Sequence, residues 1–273
     1  MQPSQAEKAA NFRAQHHSGR LLVLPNIWDP LGARLMEELG YPSVATASVA
    51  TGMSNGYKDG EKIPFADLLK LVRRITSVLT IPVTVDIERG YAGSIIQLKD
   101  NIHLLIEQGA VGINIEDSQP DHQDLIKMED QCRKIEAVRE TGIGLGVPIV
   151  INARIDCFVI ANKENAVDKA IERAKEYKKA GADCVYPILI NSYEHISKFL
   201  EAVETPTNVN LLKPIGDLKK LEKMGVARVS VGPQLLYHVL SAMKQIGEEL
   251  KQYDTTSFFS RDFLPRDFMD RLV

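Results

Sequence analysis

The stretch PVTVDIERGYAG, residues 82–93, holds two carboxylates at a spacing that could support chemistry. The alternation in its first half predicts a β-strand, and residues two apart on a strand lie on the same face. Asp86 and Glu88 therefore point the same way where this strand ends. Like charges that close raise each other's pKa, so the pair is costly to keep without a compensating positive charge. The stretch predicts such a charge at this strand end.

Polar and charged residues also stand at the ends of the strands predicted before and after this one. In chain order these ends carry Thr46 and Ser48, Asp86 and Glu88, Glu116 and Asp117, and Arg154 and Asp156. A divalent metal ion removes the cost of a buried carboxylate cluster by supplying positive charge. Ligands that are all oxygen suit Mg²⁺ or Mn²⁺, and no His-x-x-x-His or Cys/His set at these ends favours zinc. The pattern predicts a Mg²⁺ or Mn²⁺ site formed by acids of these strand ends.

Each of these signals has a simpler reading when it is taken alone. The acids of residues 86–88 and 113–117 could be solvated loop residues, and Asp117 could cap the following helix. Arg154 could be a structural ion-pair partner of Glu116 or Asp86. Their occurrence at consecutive strand ends favours the metal site over these separate readings.

The elements that must position these residues alternate regularly along the chain. β-rich runs occur at residues 21–26, 43–49, 82–88, 112–117, 148–155, 184–190, 207–212 and 227–232, and a helical stretch follows each run. Eight such units predict a (β/α)8 barrel, which we expect to span residues 1–273 as one domain. A doubly wound open sheet is the alternative, but no Gly-x-Gly-x-x-Gly follows the first strand. In barrels of this kind the chemistry lies at the C-terminal strand ends.

Composition limits the classes of partner. The 273 residues include 33 basic and 36 acidic residues, well mixed, for a net charge of −3, which argues against nucleic-acid and membrane partners. No apolar run approaches the length of about 18 residues that a membrane span needs, and the first residues lack an apolar signal core. Cys132, Cys157 and Cys184 show no paired spacing, which indicates reduced thiols in a cytoplasmic protein.

Six segments together resemble the isocitrate lyase/phosphoenolpyruvate mutase superfamily. They are NIWDPLGARLMEELGY (26–41), TASVATGMSNGYKDGE (46–61), VTVDIERGYAG (83–93), INIEDS (113–118), INARIDCF (151–158) and ARVSVGP (227–233). The resemblance implies an eight-stranded barrel with a Mg²⁺ ion that holds a 2-oxo or 2-hydroxy acid. It also implies that a carbon–carbon or carbon–phosphorus bond is made or broken beside a carboxylate.

The resemblance implies roles for individual residues of the acidic site. Asp86 matches the direct metal ligand of the superfamily, and Glu88 and Glu116 match acids that hold the metal through water. Arg154 matches the arginine that grips a substrate carboxylate, a role that suits its planar set of donors.

Other matches lie around this centre. Thr46 and Ser48 match the loop whose N–H groups and hydroxyls receive the substrate's oxygen atoms. Asp59 matches an aspartate of the gate region, and Asn208 matches an asparagine near the substrate.

The sequence departs from the superfamily where its branches carry their acid–base groups. The segment after the fourth strand lacks the Lys-Lys/Arg-Cys-Gly-His motif of the lyases, and Ser118 stands where the mutases have lysine. Ile188 stands where the lyases have glutamate and the mutases histidine. His122 titrates in the useful range and is the candidate to move a proton, with an exposed loop histidine as the alternative. Lys127 lies in the same segment.

These observations predict a Mg²⁺-dependent lyase that cleaves a carbon–carbon bond of a small 2-oxo or 2-hydroxy carboxylate through a metal-stabilised enolate. Carbon–phosphorus chemistry like that of phosphonopyruvate hydrolase or phosphoenolpyruvate mutase is the first alternative. A phosphate-ester barrel enzyme and a non-catalytic binding barrel also stay open. The segment VGPQ after the last strand opens a helix where barrels often bind phosphate.

The C-terminal tail, residues 254–273, follows the eighth helix, when the barrel is already complete. It carries the large apolar residues Phe258, Phe259, Phe263, Leu264, Phe268, Met269 and Leu272. Each is worth about 1.5–3 kcal/mol when buried, so the tail should cover either its own barrel or a neighbouring chain. The resemblance favours the neighbour and predicts a homo-dimer or homo-tetramer.

Overall fold

Nine strands and twelve helices form within residues 3–120, 123–160 and 163–273, the ranges that the computed structural model describes. The strands are β1 (Leu22–Leu24), β2 (Asn26–Ile27), β3 (Val44–Thr46), β4 (Val83–Asp86), β5 (Gly112–Glu116), β6 (Val150–Ile155), β7 (Cys184–Pro187), β8 (Asn208–Asn210) and β9 (Arg228–Ser230). The helices are α1 (Gln5–Gln15), α2 (Pro30–Glu38), α3 (Ser48–Ser54), α4 (Phe65–Ser77), α5 (Ile95–Glu107), α6 (Met128–Gly144), α7 (Ala166–Lys179), α8 (Tyr193–Ala202), α9 (Leu218–Lys223), α10 (Gln234–Lys251), α11 (Thr256–Ser260) and α12 (Arg266–Asp270).

The strands pair in parallel in two ladders, β2-β3-β4-β5-β6-β7 and β1-β9-β8. The ladders meet at Pro25, which separates β1 from β2, and at one parallel bridge between Val185 and Thr207. The hydrogen-bonded ladder is interrupted at these two places, yet the strand order follows a ring of eight. The chain therefore has the (β/α)8 barrel fold that the sequence predicts.

The first predicted strand, residues 21–26, differs from the structure because it is divided at Pro25. Proline has no N–H and cannot donate to a ladder, so the strand changes partner at this residue. β1 pairs with β9, and β2 pairs with β3. The Pro25 carbonyl still accepts a hydrogen bond from the Ala45 N–H at 3.1 Å. The divided strand thus serves both ladders.

The helices form because their apolar residues recur at helical spacing and pack against the outer face of the strands. In α4, Leu68, Val72 and Ile75 are buried along one stripe. α1 lies at the opposite end of the barrel from the predicted site. Its Phe12 ring lies so close to Gly112 that a Cβ added there would be 2.7 Å from the ring. None of the helices in the described ranges is both long and apolar enough to cross a membrane.

The inner face of the strands is unusually polar. Arg228 is 0% exposed inside the barrel, with its Nε 3.4 Å from the Ser230 hydroxyl and its Nη2 3.5 Å from Asn114 Oδ1. Its Nη1 has no hydrogen-bond partner among the described residues. Burial lowers the pKa of Arg228 because the charged form loses its hydration. A cation therefore lies beneath the acidic strand ends.

The tail packs only partly on its own barrel. Leu272 is 4% exposed, and Arg271 forms an ion pair with Glu38 at 2.9 Å. Phe259 and Phe263 remain 76% and 67% exposed. The structure therefore leaves both alternatives for the tail open. Its last residues pack on the chain's own barrel, whereas Phe259 and Phe263 form an exposed aromatic surface.

Candidate active site

Asp86 and Glu88 lie at the end of β4 as predicted. The Asp86 carboxylate accepts hydrogen bonds from the backbone N–H groups of Ser48 and Glu88, each at 3.2 Å. Burial raises the pKa of Asp86, and the Arg154 charge and these two hydrogen bonds oppose the increase. Glu88 is 4% exposed, and burial, together with the nearby acids, raises its pKa to about 7. Neither acid has enough positive charge beside it to hold its pKa in the ordinary range.

Glu116 and Arg154 are paired by the register of the sheet, since they face each other across β5 and β6. Arg154 Nη1 lies 2.7 Å from Glu116 Oε2. The Arg154 Nε and Nη2 groups grip Asp156 at 2.7 and 2.9 Å. Burial raises the pKa of Glu116 to about 8 against the effect of Arg154, and the Asp156 charge adds to the increase. Asp156 thus orients the arginine that the sequence assigns to the substrate.

The predicted substrate-binding residues divide into two groups. Thr46 and Ser48 lie beside the acids: the Thr46 hydroxyl accepts the Asp86 N–H at 2.9 Å, and the Ser48 N–H donates to the Asp86 carboxylate. Asn208 instead lies at the first residue of β8, fully buried, where its amide donates to the Ser230 hydroxyl at 3.0 Å. The structure brings Thr46 and Ser48 to the acids and gives Asn208 a partner inside the barrel.

The predicted catalytic residues besides Arg154 are Asp59 and His122. Asp59 is exposed in the connection between α3 and α4, and its charge raises the pKa of both Asp86 and Glu88. It therefore lies within electrostatic range of the acids. His122 lies outside the described residues, and its role stays a prediction. Ser118, the departure after β5, is fully buried and donates its hydroxyl to Glu116 Oε1 at 3.1 Å.

The alternative that Asp117 caps the next helix is wrong. Lys127 precedes α6, and no side chain caps that helix. Asp117 instead accepts hydrogen bonds from Arg173 at 3.0 Å, from the Tyr177 hydroxyl at 2.7 Å and from the Asp156 N–H at 2.8 Å. It fastens α7 and the residue after β6 to the end of β5, directly behind Glu116.

Sequence reasoning missed three residues that complete the site, Glu61, Arg89 and Tyr91. Arg89 Nη2 lies 2.9 Å from Glu61 Oε2, and its Nη1 lies 3.4 Å from Glu116 Oε1. Glu61 donates its N–H to Glu88 Oε2 at 2.6 Å and accepts the Tyr91 N–H at 2.7 Å. The arginine was visible in DIERG, but its partner Glu61 comes from a distant loop, and no spacing in the sequence connects the two.

β7 ends without the acid–base residue that the lyases and the mutases have at this position. Tyr186 is the register partner of Arg154 and is 4% exposed. Its hydroxyl makes no hydrogen bond to any residue in the described part of the chain. Burial raises the pKa of Tyr186, so the phenol stays protonated. Ile188, which follows β7, is half-buried and carries no group that titrates.

The donor set fits a hard divalent cation that keeps part of its water. Asp86, Glu88 and Glu116 are all oxygen donors, and burial together with neighbouring acids raises the pKa of each. Within the described ranges no three His, Cys, Asp or Glu side chains converge closely enough to hold a cation by themselves. Direct contact through Asp86, with Glu88 and Glu116 acting through water, stays a prediction.

A parallel barrel with carboxylates and an arginine gathered at one set of strand ends defines a class of carboxylate-handling (β/α)8 proteins. Within that class, the chain belongs to the phosphoenolpyruvate phosphomutase family, which matches residues 12–251. This confirms the resemblance to the isocitrate lyase/phosphoenolpyruvate mutase superfamily.

Similar proteins carry several activities. An uncharacterized protein of Mycobacterium tuberculosis is 31% identical over 81% of this chain and 81% of its own length. The oxaloacetate decarboxylase of Pseudomonas entomophila is 26% identical over 85% of this chain and 80% of its own. The 2-methylisocitrate lyase of Escherichia coli is 27% identical over 82% of this chain and 80% of its own.

Solved structures confirm the fold. A protein from Burkholderia cenocepacia J2315 with a provisional assignment as a phosphonomutase is 34% identical, with a TM-score of 0.83. The match covers 91% of this chain and 99% of that one. A second protein from the same organism, provisionally assigned as a lyase/mutase, is 29% identical with a TM-score of 0.89, over 98% of this chain and 95% of that one.

Proposed function

We propose that this protein is a Mg²⁺-dependent lyase that cleaves a carbon–carbon bond in a small 2-oxo or 2-hydroxy carboxylate. The observation that carries the proposal is the group formed by Asp86, Glu88 and Glu116 beside Arg154, in which all three acids have raised pKa values. Such a group suits a cation and an anionic substrate together. The similarity to enzymes named 2-methylisocitrate lyase and oxaloacetate decarboxylase supports carbon–carbon cleavage.

In this proposal Asp86 holds the ion directly, and Glu88 and Glu116 hold its water. A bound Mg²⁺, or Mn²⁺, supplies positive charge opposite the substrate oxygens on which negative charge develops. The protein's own part is to hold the three carboxylates in place. The backbone N–H groups of Ser48 and Glu88 do this for Asp86, since both donate to its carboxylate.

Arg154 binds the substrate carboxylate in this proposal. Three of its N–H groups are held by Asp156 and Glu116, which fixes the plane of the guanidinium. An arginine side chain has five N–H donors, so two are left to receive an anion without breaking the pairs. A substrate carboxylate is repelled by Glu116 and attracted by the guanidinium, so the arginine is the anchor.

The proton that cleavage requires has three candidate carriers. His122 and Asp59 are the sequence predictions, and Asp59 lies in electrostatic range of the acids. Tyr186 is the candidate that the structure adds, because it is the register neighbour of Arg154 and its raised pKa keeps it a donor. A group that stays protonated can deliver a proton or a hydrogen bond to developing negative charge, but it cannot serve as a base at neutral pH.

Carbon–phosphorus chemistry on phosphonopyruvate is the second candidate function. The observation that favours it is the 34% identity to the protein provisionally assigned as a phosphonomutase. The same acids and arginine would serve, because a phosphonate substrate also carries a carboxylate beside a 2-oxo group. Conversion of phosphonopyruvate in ³¹P NMR, with no turnover of oxaloacetate or malate derivatives, would reverse the ranking.

The proposal is tested by turnover and metal binding with the full-length protein. A panel of oxaloacetate, 2-methylisocitrate, malate derivatives and phosphonopyruvate is assayed with Mg²⁺ and with EDTA. Asp86→Ala should lose Mg²⁺ binding in calorimetry and all Mg²⁺-dependent turnover, while its circular dichroism spectrum stays that of wild type. Asp100→Ala removes an exposed acid from α5 and is the matched control. Mg²⁺ binding by Asp86→Ala at wild-type affinity would place the metal elsewhere, and no turnover of any substrate would favour a binding barrel.

The assembly that we propose is a homo-dimer or homo-tetramer in which the tail, residues 254–273, packs on a neighbouring chain. The exposed rings of Phe259 and Phe263 support it, as do the exposed Tyr237 and Met243 of α10, at 44% and 61%. Exposed large apolar side chains in such number are typical of an interface.

A further inference from the structure

The connection between α3 and α4, residues 55–64, touches the acidic site mainly through one side chain. Asp59 and its neighbours are exposed, and Gly56 and Gly60 have open space around them. Glu61 is the charged residue of the connection that reaches inward, with 21% of its side chain exposed. Ile63 of the same connection is buried, and Glu61 is the charged side chain through which the connection contacts the acidic site.

Glu61 forms a two-way set of contacts with the turn that follows β4, residues 88–91. Its backbone N–H donates to Glu88 Oε2 at 2.6 Å, which ties the loop backbone to a predicted metal-site acid. Its carboxylate accepts the Tyr91 N–H at 2.7 Å through one oxygen and pairs with Arg89 at 2.9 Å through the other. Backbone and side chain of one residue thus contact three residues of this turn.

The backbone of these segments is strained where they meet. Glu61, Glu88 and Tyr91 have φ angles of 60°, 49° and 53°, in the left-handed region that residues with a Cβ rarely adopt. Each such residue is strained and persists only where the surroundings determine its backbone. All three are joined by the hydrogen bonds of Glu61, which act together with other contacts of the turn, such as the bonds of the Asn101 amide to the Gly90 and Tyr91 carbonyls.

Arg89 makes this arrangement electrostatically possible. Glu61 is a further acid in an acidic site, and its charge raises the pKa of Glu88. Arg89, 8% exposed, lies between Glu61 and Glu116 and compensates both. Lys134 fixes the same turn from the other side, because its Nζ donates to the Arg89 carbonyl at 3.0 Å.

We propose that Glu61 is a positioning residue, which locks the 88–91 turn in the shape that presents Glu88 and docks the loop that carries Asp59 against the site. The inference rests on the proposed function, which gives Glu88 and Asp59 their roles. It adds that the acid set is complete only while the α3–α4 connection is docked. Glu61 touches neither metal nor substrate in this account and acts through Glu88 and Asp59.

Two variants separate the geometry of Glu61 from its charge. Glu61→Gln removes the charge and keeps an oxygen that can accept the Tyr91 N–H. Glu61→Asp keeps the charge but is one methylene too short to hold Arg89 and Tyr91 together. Lys62→Gln, at the exposed neighbouring position of the same connection, is the control.

The test measures amide hydrogen exchange of full-length protein in EDTA, over peptides that cover residues 55–64 and 87–92, and Mg²⁺ affinity by calorimetry. Both Glu61 variants should exchange about tenfold faster in these peptides, since each loses a charge-assisted hydrogen bond. Both should also bind Mg²⁺ about fivefold or more weakly, whereas Lys62→Gln should match wild type. Thermal unfolding of each variant checks that the barrel itself is intact.

Three results would overturn the inference. Exchange at the wild-type rate in both variants would show that Glu61 does not hold the turn. A Glu61→Asp protein with the exchange rates and Mg²⁺ affinity of wild type would show that only the charge of Glu61 matters, and not the length of its side chain. Faster exchange with unchanged Mg²⁺ affinity would show that docking of the loop does not affect the part of Glu88 in metal binding. A wild-type protein that binds no Mg²⁺ would instead refute the metal of the proposed function, and the exchange of residues 87–92 would still decide the role of Glu61.

Discussion

Replacing Glu88 by glutamine should stabilise the metal-free protein, although it removes a charged residue from a hydrogen-bonded site. The Glu88 carboxylate accepts the Glu61 N–H at 2.6 Å and the Tyr91 hydroxyl at 3.3 Å. A glutamine in the same position can accept the first bond through its oxygen. The Tyr91 hydroxyl can rotate to accept a bond from the new amide group. The contacts are therefore kept, and what is lost is a buried negative charge.

The size of the effect follows from the pKa of Glu88, which is raised from 4.5 to about 7 in the folded protein. Between these values the folded state holds a proton that the unfolded state has released. Stability therefore falls as the pH rises through this window, and the loss is complete above about pH 7. At about 1.4 kcal/mol per pKa unit, the ionised carboxylate costs about 3 kcal/mol at pH 8.5 and less than about 1 kcal/mol at pH 5. Glutamine removes this cost.

The measurement is urea unfolding of wild type and Glu88→Gln at pH 5 and pH 8.5, in EDTA and in Mg²⁺. In EDTA the variant should be more stable by about 2–3 kcal/mol at pH 8.5, with a much smaller difference at pH 5. In Mg²⁺ the stability difference should shift in favour of wild type. Wild type keeps the Glu88 carboxylate and binds the ion more tightly, so Mg²⁺ stabilises it more than it stabilises Glu88→Gln. Glu172→Gln, at an exposed position of α7, is the control. A variant no more stable than wild type at pH 8.5 in EDTA would show that Glu88 carries no uncompensated charge.

Two further predictions concern the arginine and the tail. Arg154→Lys should reduce turnover about 100-fold or more with an unchanged circular dichroism spectrum, because lysine cannot hold Asp156 and Glu116 and also present donors to a carboxylate; turnover near the wild-type rate would return Arg154 to a structural role. Deletion of residues 254–273 should give monomers or insoluble protein in size-exclusion chromatography with light scattering; a truncated chain with the mass of the full-length oligomer would show that the tail does not join the subunits.

The fold and the centre of the site follow from local rules that the sequence displays. The alternation of strand and helix predicts the barrel, and the two-residue period of a strand predicts that Asp86 and Glu88 share a face. The parallel register then places Glu116 opposite Arg154. Asp86, Glu116 and Arg154 could be brought together from the sequence because each lies on a strand whose end has a known direction, whereas Glu88 lies in the turn that follows β4.

The rest of the site depends on turns that the sequence does not specify. Glu61 reaches the acids only because it and two residues of the 88–91 turn adopt left-handed backbone without being glycine. Backbone propensity favours glycine or asparagine at left-handed positions. It therefore does not predict that Glu61 and Glu88 adopt this backbone and contact each other. At Pro25, by contrast, the sequence does contain the cause of the difference. Its effect on the first strand is a direct consequence of its missing N–H, yet the residues around it still read as one strand.

The charges around the site explain why these contacts are needed. Six acids and four cationic side chains act on one another there, namely Asp59, Glu61, Asp86, Glu88, Glu116 and Asp156 with Arg89, Lys134, Arg154 and Arg228. If all are ionised, the acids of this set outnumber the cations by two. The protein can meet that excess by binding two protons, which the raised pKa values of Glu88 and Glu116 favour, or by binding one divalent cation. Protons and Mg²⁺ should therefore compete, and Mg²⁺ should bind more tightly as the pH rises from 6 to 9.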